Sequence, residues 1–191
     1  MSADSPAELG RQLAELRERL SQVESKVGKG QVERLSLVVF SGSLDRQIAA
    51  FTIATAAAAS GMEVDMFFTF WGFSALRDPG KRGQGTPKTL LARMFGWMLP
   101  RGSIQLPLSQ FHMGGLGPRL IRKIMSDSKF ASLEELMQVA AELEVNLYAC
   151  DMSMNVMGFS MEELVSYPKL SRCGAATFIE RAAAGKVTMF I

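Results

Sequence analysis

Histidine and cysteine are almost missing from this 191-residue chain, which holds one His, His112, and two Cys, Cys150 and Cys173. A single His excludes a multi-His metal centre within one chain. Two cysteines with 22 residues between them form neither a CxxC redox motif nor a four-thiolate zinc site. A disulfide-rich secreted scaffold is excluded on the same ground. Long apolar runs are missing too. A long uncharged stretch, Gln47 to Met62, carries Ser and Thr, then meets Glu63 and Asp65, short of the ~20 apolar residues of a membrane span. Met1 to Lys29 is highly charged and lacks the apolar centre of a secretory signal. The expectation is a soluble, cytoplasmic protein.

What is present is the composition of a folded chain: 48% hydrophobic, 21% charged, mean hydropathy +0.12. At roughly 150 residues per domain, the length allows one domain and an appendage. The net charge of +2 conceals a strong asymmetry, because Arg77 to Lys129 carries a net +8 and the remainder a net −6. Such a segment reads either as a solvated basic face or as a docking surface for an acidic partner or an anionic membrane.

Along the chain, Ser5-Pro6-Ala7-Glu8 places Ser, Pro and Glu where a capped helix begins. Leu9, Leu13, Leu16, Leu20, Val23 and Val27 then alternate steps of four and three, a coiled-coil-like seam of period about 3.5. Gly28-Lys29-Gly30 ends it. We expect an N-terminal heptad helix over 1–30 and an α/β domain over 34–191. In that domain Leu35 to Phe40 reads as a strand buried on both faces, and Arg46 to Ser60 as a helix. Val64 to Phe70 follows as a second, parallel strand. Regular patterning lapses over an excursion at about 72–118 that is rich in Gly and Pro, with one short amphipathic helix at Lys88 to Leu99. Helices at Arg119 to Asp127 and Leu133 to Glu144, a strand at Val145 to Ala149, a helix at Gly174 to Ala184 and a last strand at Lys186 to Ile191 complete the order. Four strands are recognisable, and a fifth is sought in the excursion. The fold class is therefore α/β, three layers with a mainly parallel sheet.

Ligands of open parallel sheets bind at the carboxyl ends of the strands. Two segments share that edge: Ser41, Gly42 and Ser43 after the first strand, and Cys150, Asp151, Met152 and Ser153 after the third. A cysteine there, just before a helical N-terminus, is placed to be a thiolate; the competing reading is a buried inert Cys. Cys173 reads first as a small residue packed before the last helix, and His112 as a loop residue. A stable Cys150–Cys173 disulfide is disfavoured in a cytosolic setting. Met152, Met154, Met157 and Met161 crowd the residues after Cys150, as core or as the lining of a pocket.

Several segments together resemble the DsrE/DsrF-like sulfur-carrier family, in particular its larger, "peroxiredoxin-like" branch. They are Val38–Gly72 (VVFSGSLDRQIAAFTIATAAAASGMEVDMFFTFWG), Met94–Gly102, Gly115–Met125, Ser132–Gly158 (SLEELMQVAAELEVNLYACDMSMNVMG) and Gly174–Glu180. The most specific element is the strand ending Cys-Asp-Met-Ser-Met at Cys150. The resemblance implies a three-layer α/β fold, homo-oligomers, and a cysteine at the position of Cys150 that carries sulfur as a persulfide. No role is implied for Cys173 or His112, and no resolving-cysteine arrangement is visible. On this basis the expected function is sulfur relay: Cys150 attacks a donor persulfide, and the backbone N–H groups of Ser41 to Ser43 and of Asp151 to Ser153 stabilise the anionic sulfur. Sulfur-donor and sulfur-acceptor proteins are the expected partners, with no metal, no organic cofactor and no nucleic acid. The alternatives are a non-catalytic oligomeric adaptor using the basic 77–129 region, and association with a membrane surface through Leu90 to Leu99.

Overall fold

The computed structural model describes residues 6–28, 32–81, 99–111 and 113–191. The chain forms two compact units, Met1–Val32 and Glu33–Ile191. The first is helix α1 (Pro6–Gly28), which starts at the proline and exposes Leu13, Leu16 and Leu20. The expected helix at Lys88 to Leu99 and His112 lie outside the described residues, apart from Leu99 itself.

The second unit alternates strands and helices. In chain order they are β1 (Val32–Val39), α2 (Leu44–Ala59), β2 (Glu63–Phe68), α3 (Leu116–Asp127), α4 (Leu133–Glu142), β3 (Asn146–Cys150), α5 (Asp151–Met157), β4 (Leu170–Cys173), α6 (Ala175–Ala183) and β5 (Gly185–Phe190). The sheet has five strands in the order β4-β3-β2-β1-β5. β1 pairs with β2, β2 with β3, and β3 with β4, all in parallel. At the β1–β5 seam, Ile191 N–H donates to the Val38 carbonyl (2.9 Å) and its own carbonyl accepts from Phe40 N–H (2.8 Å). That pattern straddles one residue of the partner strand, as parallel pairing requires.

Helices cover both faces. Leu35, Leu37 and Val39 of β1 stand in register with Val64, Met66 and Phe68 of β2 on one face. There Phe68 meets Phe51 of α2 at a ring-centroid distance of 6.0 Å, and α2 packs beside α4. On the opposite face Phe67 stacks on Phe178 of α6 at 4.7 Å. The three-layer α/β architecture expected from the sequence is thus present, and its sheet is parallel throughout. Among the described residues, the fifth strand lies outside the excursion. It is Leu170–Cys173, four residues at the sheet's edge. Cys173 accordingly closes a strand as well as standing just before the N-cap of the last helix.

A buried ionic network crosses the α6 face. Asp65 is wholly inaccessible to solvent. It accepts from Arg181 Nε (2.9 Å) and from Asn146 Nδ2 (2.9 Å), and Arg34 Nε lies 3.3 Å away. Glu63 accepts from Arg34 (2.6 Å) and Arg181 (2.9 Å) at the rim. The Asp65 contact holds a proton firmly on Arg181, whose pKa is raised above its ordinary value, and the Arg181 guanidinium sits 5.4 Å from the centre of the Tyr148 ring. Burial of Asp65 is tolerable only because its charge is paired.

Where β2 ends, the chain turns sharply through a 3-10 segment, Phe70–Leu76. Phe70 sits at φ 44, a strained value for a side chain of its size. A Cβ on Gly72 would stand 2.2 Å from the Val39 carbonyl oxygen, so no larger residue fits without moving backbone. We expect Gly72→Ala to lower stability by about 1–3 kcal/mol in urea unfolding. Gly174→Ala, with φ −76 and nothing within 4 Å of the added carbon, should stay within about 0.5 kcal/mol of the parent. Equal losses at the two positions would contradict this reading.

Candidate functional site

Cys150 is the last residue of β3, an interior strand flanked by β2 and β4. Side chains alternate along a strand, and Tyr148, two residues earlier, lies against Arg181 of α6. Cys150 therefore points to the α6 side. The register pairs it directly with Cys173 of β4. Paired residues of parallel neighbours share a face, so the two thiols stand side by side. Both are free and buried, with 2% of Cys150 and 6% of Cys173 exposed.

The flanking residues fasten this pair of strand ends. Asp151, immediately after Cys150, accepts from Nε of Arg172, immediately before Cys173, at 2.6 Å. On the other flank Thr69 is the next residue along β2, as Cys150 is along β3. Its hydroxyl lies 2.7 Å from the Ser153 hydroxyl. That bond links α5 to the end of β2, and α5 packs on β3 and on the Phe70–Leu76 turn. Met154 and Met157 are buried, whereas Met152 is 54% exposed. α5 is only seven residues long and ends at Gly158 in the left-handed region (φ 69). So short a helix supplies little dipole.

Cys173 is held as a thiol. Its S–H donates to the Gly174 carbonyl at 3.2 Å. Burial pushes its pKa up; Asp151, Asp65 and Cys150 push the same way, and Arg181 opposes them. Because the folded thiol binds its proton more tightly than the unfolded one, the stability linked to it is whole below the ordinary thiol range and falls as pH climbs through it. In a Cys150→Ala chain, alkylation of Cys173 by iodoacetamide should keep accelerating with pH and reach no plateau below about pH 9. A plateau near neutrality would show the proton to be held loosely.

The segment Ser41 to Ser43 sits on the same sheet edge, two strands away, in different surroundings. The Ser41 and Ser43 hydroxyls bond each other at 2.9 Å, Ser43 N–H donates to Ser41 Oγ, and Ser41 N–H to the Ile191 carbonyl. With Gly42, Phe40, Arg46 and Trp71 they line a cavity of about 320 Å³, walled by Leu99, Pro100 and Pro107. Arg77, itself buried, pins that wall by donating to the Leu99 and Pro100 carbonyls, and Leu44 N–H donates to Pro107. Cys150, Asp151, Met152 and Ser153 do not line this cavity. Of the seven residues singled out in the sequence, Ser41, Gly42 and Ser43 line this cavity, and Asp151, Met152 and Ser153 lie beside Cys150 on α5.

Thr69, Arg172 and Arg181 belong to the surroundings of Cys150 without having been singled out, and Cys173 stands there as more than a packed residue. No local pattern marks them, since each arrives through pairing with a distant segment. Among the described residues, no group of three or more His, Cys, Asp and Glu is disposed to hold a metal ion, and no helix is long and apolar enough to cross a membrane.

The chain has relatives among known proteins. The chain is 38% identical to the uncharacterized protein YrkE of Bacillus subtilis (strain 168) over 165 residues, 84% of this chain and 98% of that one. It is 30% identical to the sulfur carrier protein DsrE2 of Allochromatium vinosum over 163 residues, 83% of this chain and 98% of the other. The crystal structure of the ychN protein from E. coli superposes with a TM-score of 0.47 at 8% identity, covering 84% of this chain and 100% of that one. Residues 31–190 match the description of one family, and the relatives are covered nearly end to end. The chain belongs to the DsrE/DsrF/DrsH-like family.

Proposed function

We propose that this protein is a sulfur-relay protein that accepts sulfane sulfur on Cys150 as a persulfide and passes it to an acceptor thiol. The observation that carries the proposal is the position of Cys150 at the carboxyl end of an interior parallel strand, where α/β folds place reacting groups. Family membership and the relative named as a sulfur carrier support sulfur relay in general. Cys150 is preferred to Cys173 as first acceptor because burial holds the proton on Cys173, whose S–H donates a hydrogen bond to the Gly174 carbonyl. A thiol is a weak nucleophile beside a thiolate.

Transfer is nucleophilic exchange at sulfur. The Cys150 thiolate attacks the outer sulfur of a donor persulfide and the donor thiolate leaves. A thiolate on the acceptor protein later attacks the outer sulfur of Cys150–S–SH in the same way. Burial of Cys150 makes both steps depend on local opening of α5, which the Thr69–Ser153 bond and the Arg172–Asp151 pair hold closed. A short pulse of inorganic polysulfide, followed by desalting and intact mass measurement, should show a gain of about 32 Da, one sulfur atom. A chain that takes up none does not carry sulfur.

The second reading is a non-catalytic oligomeric adaptor. It is favoured by α3, which exposes Leu116, Leu120 and Ile124 beside Arg119 and Lys123. Homo-oligomers and weak contact with an anionic membrane surface are proposed on the same basis. The loading test separates the two readings, because an adaptor has no use for sulfur on Cys150.

A further inference from the structure

The Cys150–Cys173 pairing has chemical content beyond a single acceptor thiol. Adjacent parallel strands lie about 4.8 Å apart, inside the Cα separation of about 4.4–6.8 Å that a disulfide spans. The two thiols share a face at matched register positions, and the Arg172–Asp151 contact ties the residue before one to the residue after the other. A persulfide formed on Cys150 would thus be held beside a second thiol of the same chain.

We propose that Cys173 is the resolving thiol of the Cys150 persulfide: its thiolate attacks the inner sulfur, a Cys150–Cys173 disulfide closes, and the outer sulfur leaves as hydrosulfide. This rests on the reading that Cys150 accepts sulfane sulfur. The step balances without an outside oxidant. The S–S bond of Cys150–S–SH breaks and the Cys150–Cys173 bond forms; the electron pair of the broken bond departs on the hydrosulfide. The proton released by Cys173 converts it to hydrogen sulfide. Thiol–disulfide exchange with a dithiol reductant then restores both thiols.

The consequence is a carrier whose load is timed. Sulfur that meets an acceptor thiol is passed on, and sulfur that waits too long is discharged as sulfide. The delay is set by how readily Cys173 ionises. Around it stand Arg181 of α6, Asp151 of α5, Asp65 of β2 and Cys150 of β3, and Arg181 is the cation among them. With the proton held by burial and by the Gly174 carbonyl, inward discharge is slow enough for outward transfer to compete.

The test uses the full chain and two variants, Cys173→Ser and Cys173→Ala, each checked by circular dichroism. After a polysulfide pulse and desalting, samples are quenched in acid at intervals for intact mass, and released sulfide is assayed. In the parent chain the heavier species should decay into one about 2 Da lighter than the dithiol chain, with one equivalent of sulfide. In both variants it should persist at least about tenfold longer, with no lighter species. Equal decay in parent and variants overturns the proposal, as does a parent chain that never forms the lighter species. Variants that fold and take up no sulfur overturn Cys150 as acceptor, and the resolving role with it.

Discussion

Asp65→Ala should cost about 3–5 kcal/mol of folding stability, a large share of the roughly 5–15 kcal/mol that holds a domain together. The carboxylate is wholly buried and is the hub on which Arg34, Arg181 and Asn146 converge. Deleting it leaves the buried Arg34 guanidinium without its inner partner and unties α6 from the centre of the sheet. The rim carboxylate is the natural control. Glu63 is itself exposed, so Glu63→Ala should cost no more than about 1 kcal/mol. Urea unfolding measures both, and the midpoint should fall far more for Asp65→Ala while the slope stays unchanged. A loss under about 1 kcal/mol for Asp65→Ala would mean that the network contributes little.

The second large effect concerns chemistry. Cys150→Ala should lower sulfane-sulfur uptake to background, about a hundredfold or more, since no other ionisable sulfur is placed to react first. Cys173→Ala should leave uptake within about threefold of the parent, because Cys173 acts after loading and not in it. Both replacements remove one buried sulfur atom from a site about the size of alanine, at a cost of about 1 kcal/mol, so the folds should survive. Unchanged uptake in Cys150→Ala would move the site elsewhere.

The sequence made much of this fold legible. Leu35 to Phe40 and Val64 to Phe70 are short, apolar and bounded by turn residues, and the ends of each fall within three residues of a strand in the interior of the sheet. Ser132 caps α4 through a complete capping box with Glu135, a pattern contained within four consecutive residues. The edge strand β4 escaped because Leu-Ser-Arg-Cys is four residues long, has a partner on one side only, and shows no alternation or apolar run to mark it. Asp65 looked from the sequence like the polar end of an apolar stretch. Its partners Arg34 and Arg181 lie 31 and 116 residues away, beyond the reach of local pattern. The same limit applies at the site. That Cys150 ends a strand is a local fact and could be read from the sequence. That Cys173 stands opposite it is a matter of register between strands 23 positions apart, and only the folded sheet supplies that.

Mapping the sulfur shows which thiol of the chain is loaded first. The parent chain is given a brief pulse of isotopically labelled polysulfide, alkylated at once and digested, and the label is located by tandem mass spectrometry. The label should be found on the peptide containing Cys150, with Cys173 recovered as a plain alkylated thiol. Label on Cys173 with Cys150 unmodified, or label on neither, would contradict Cys150 as first acceptor.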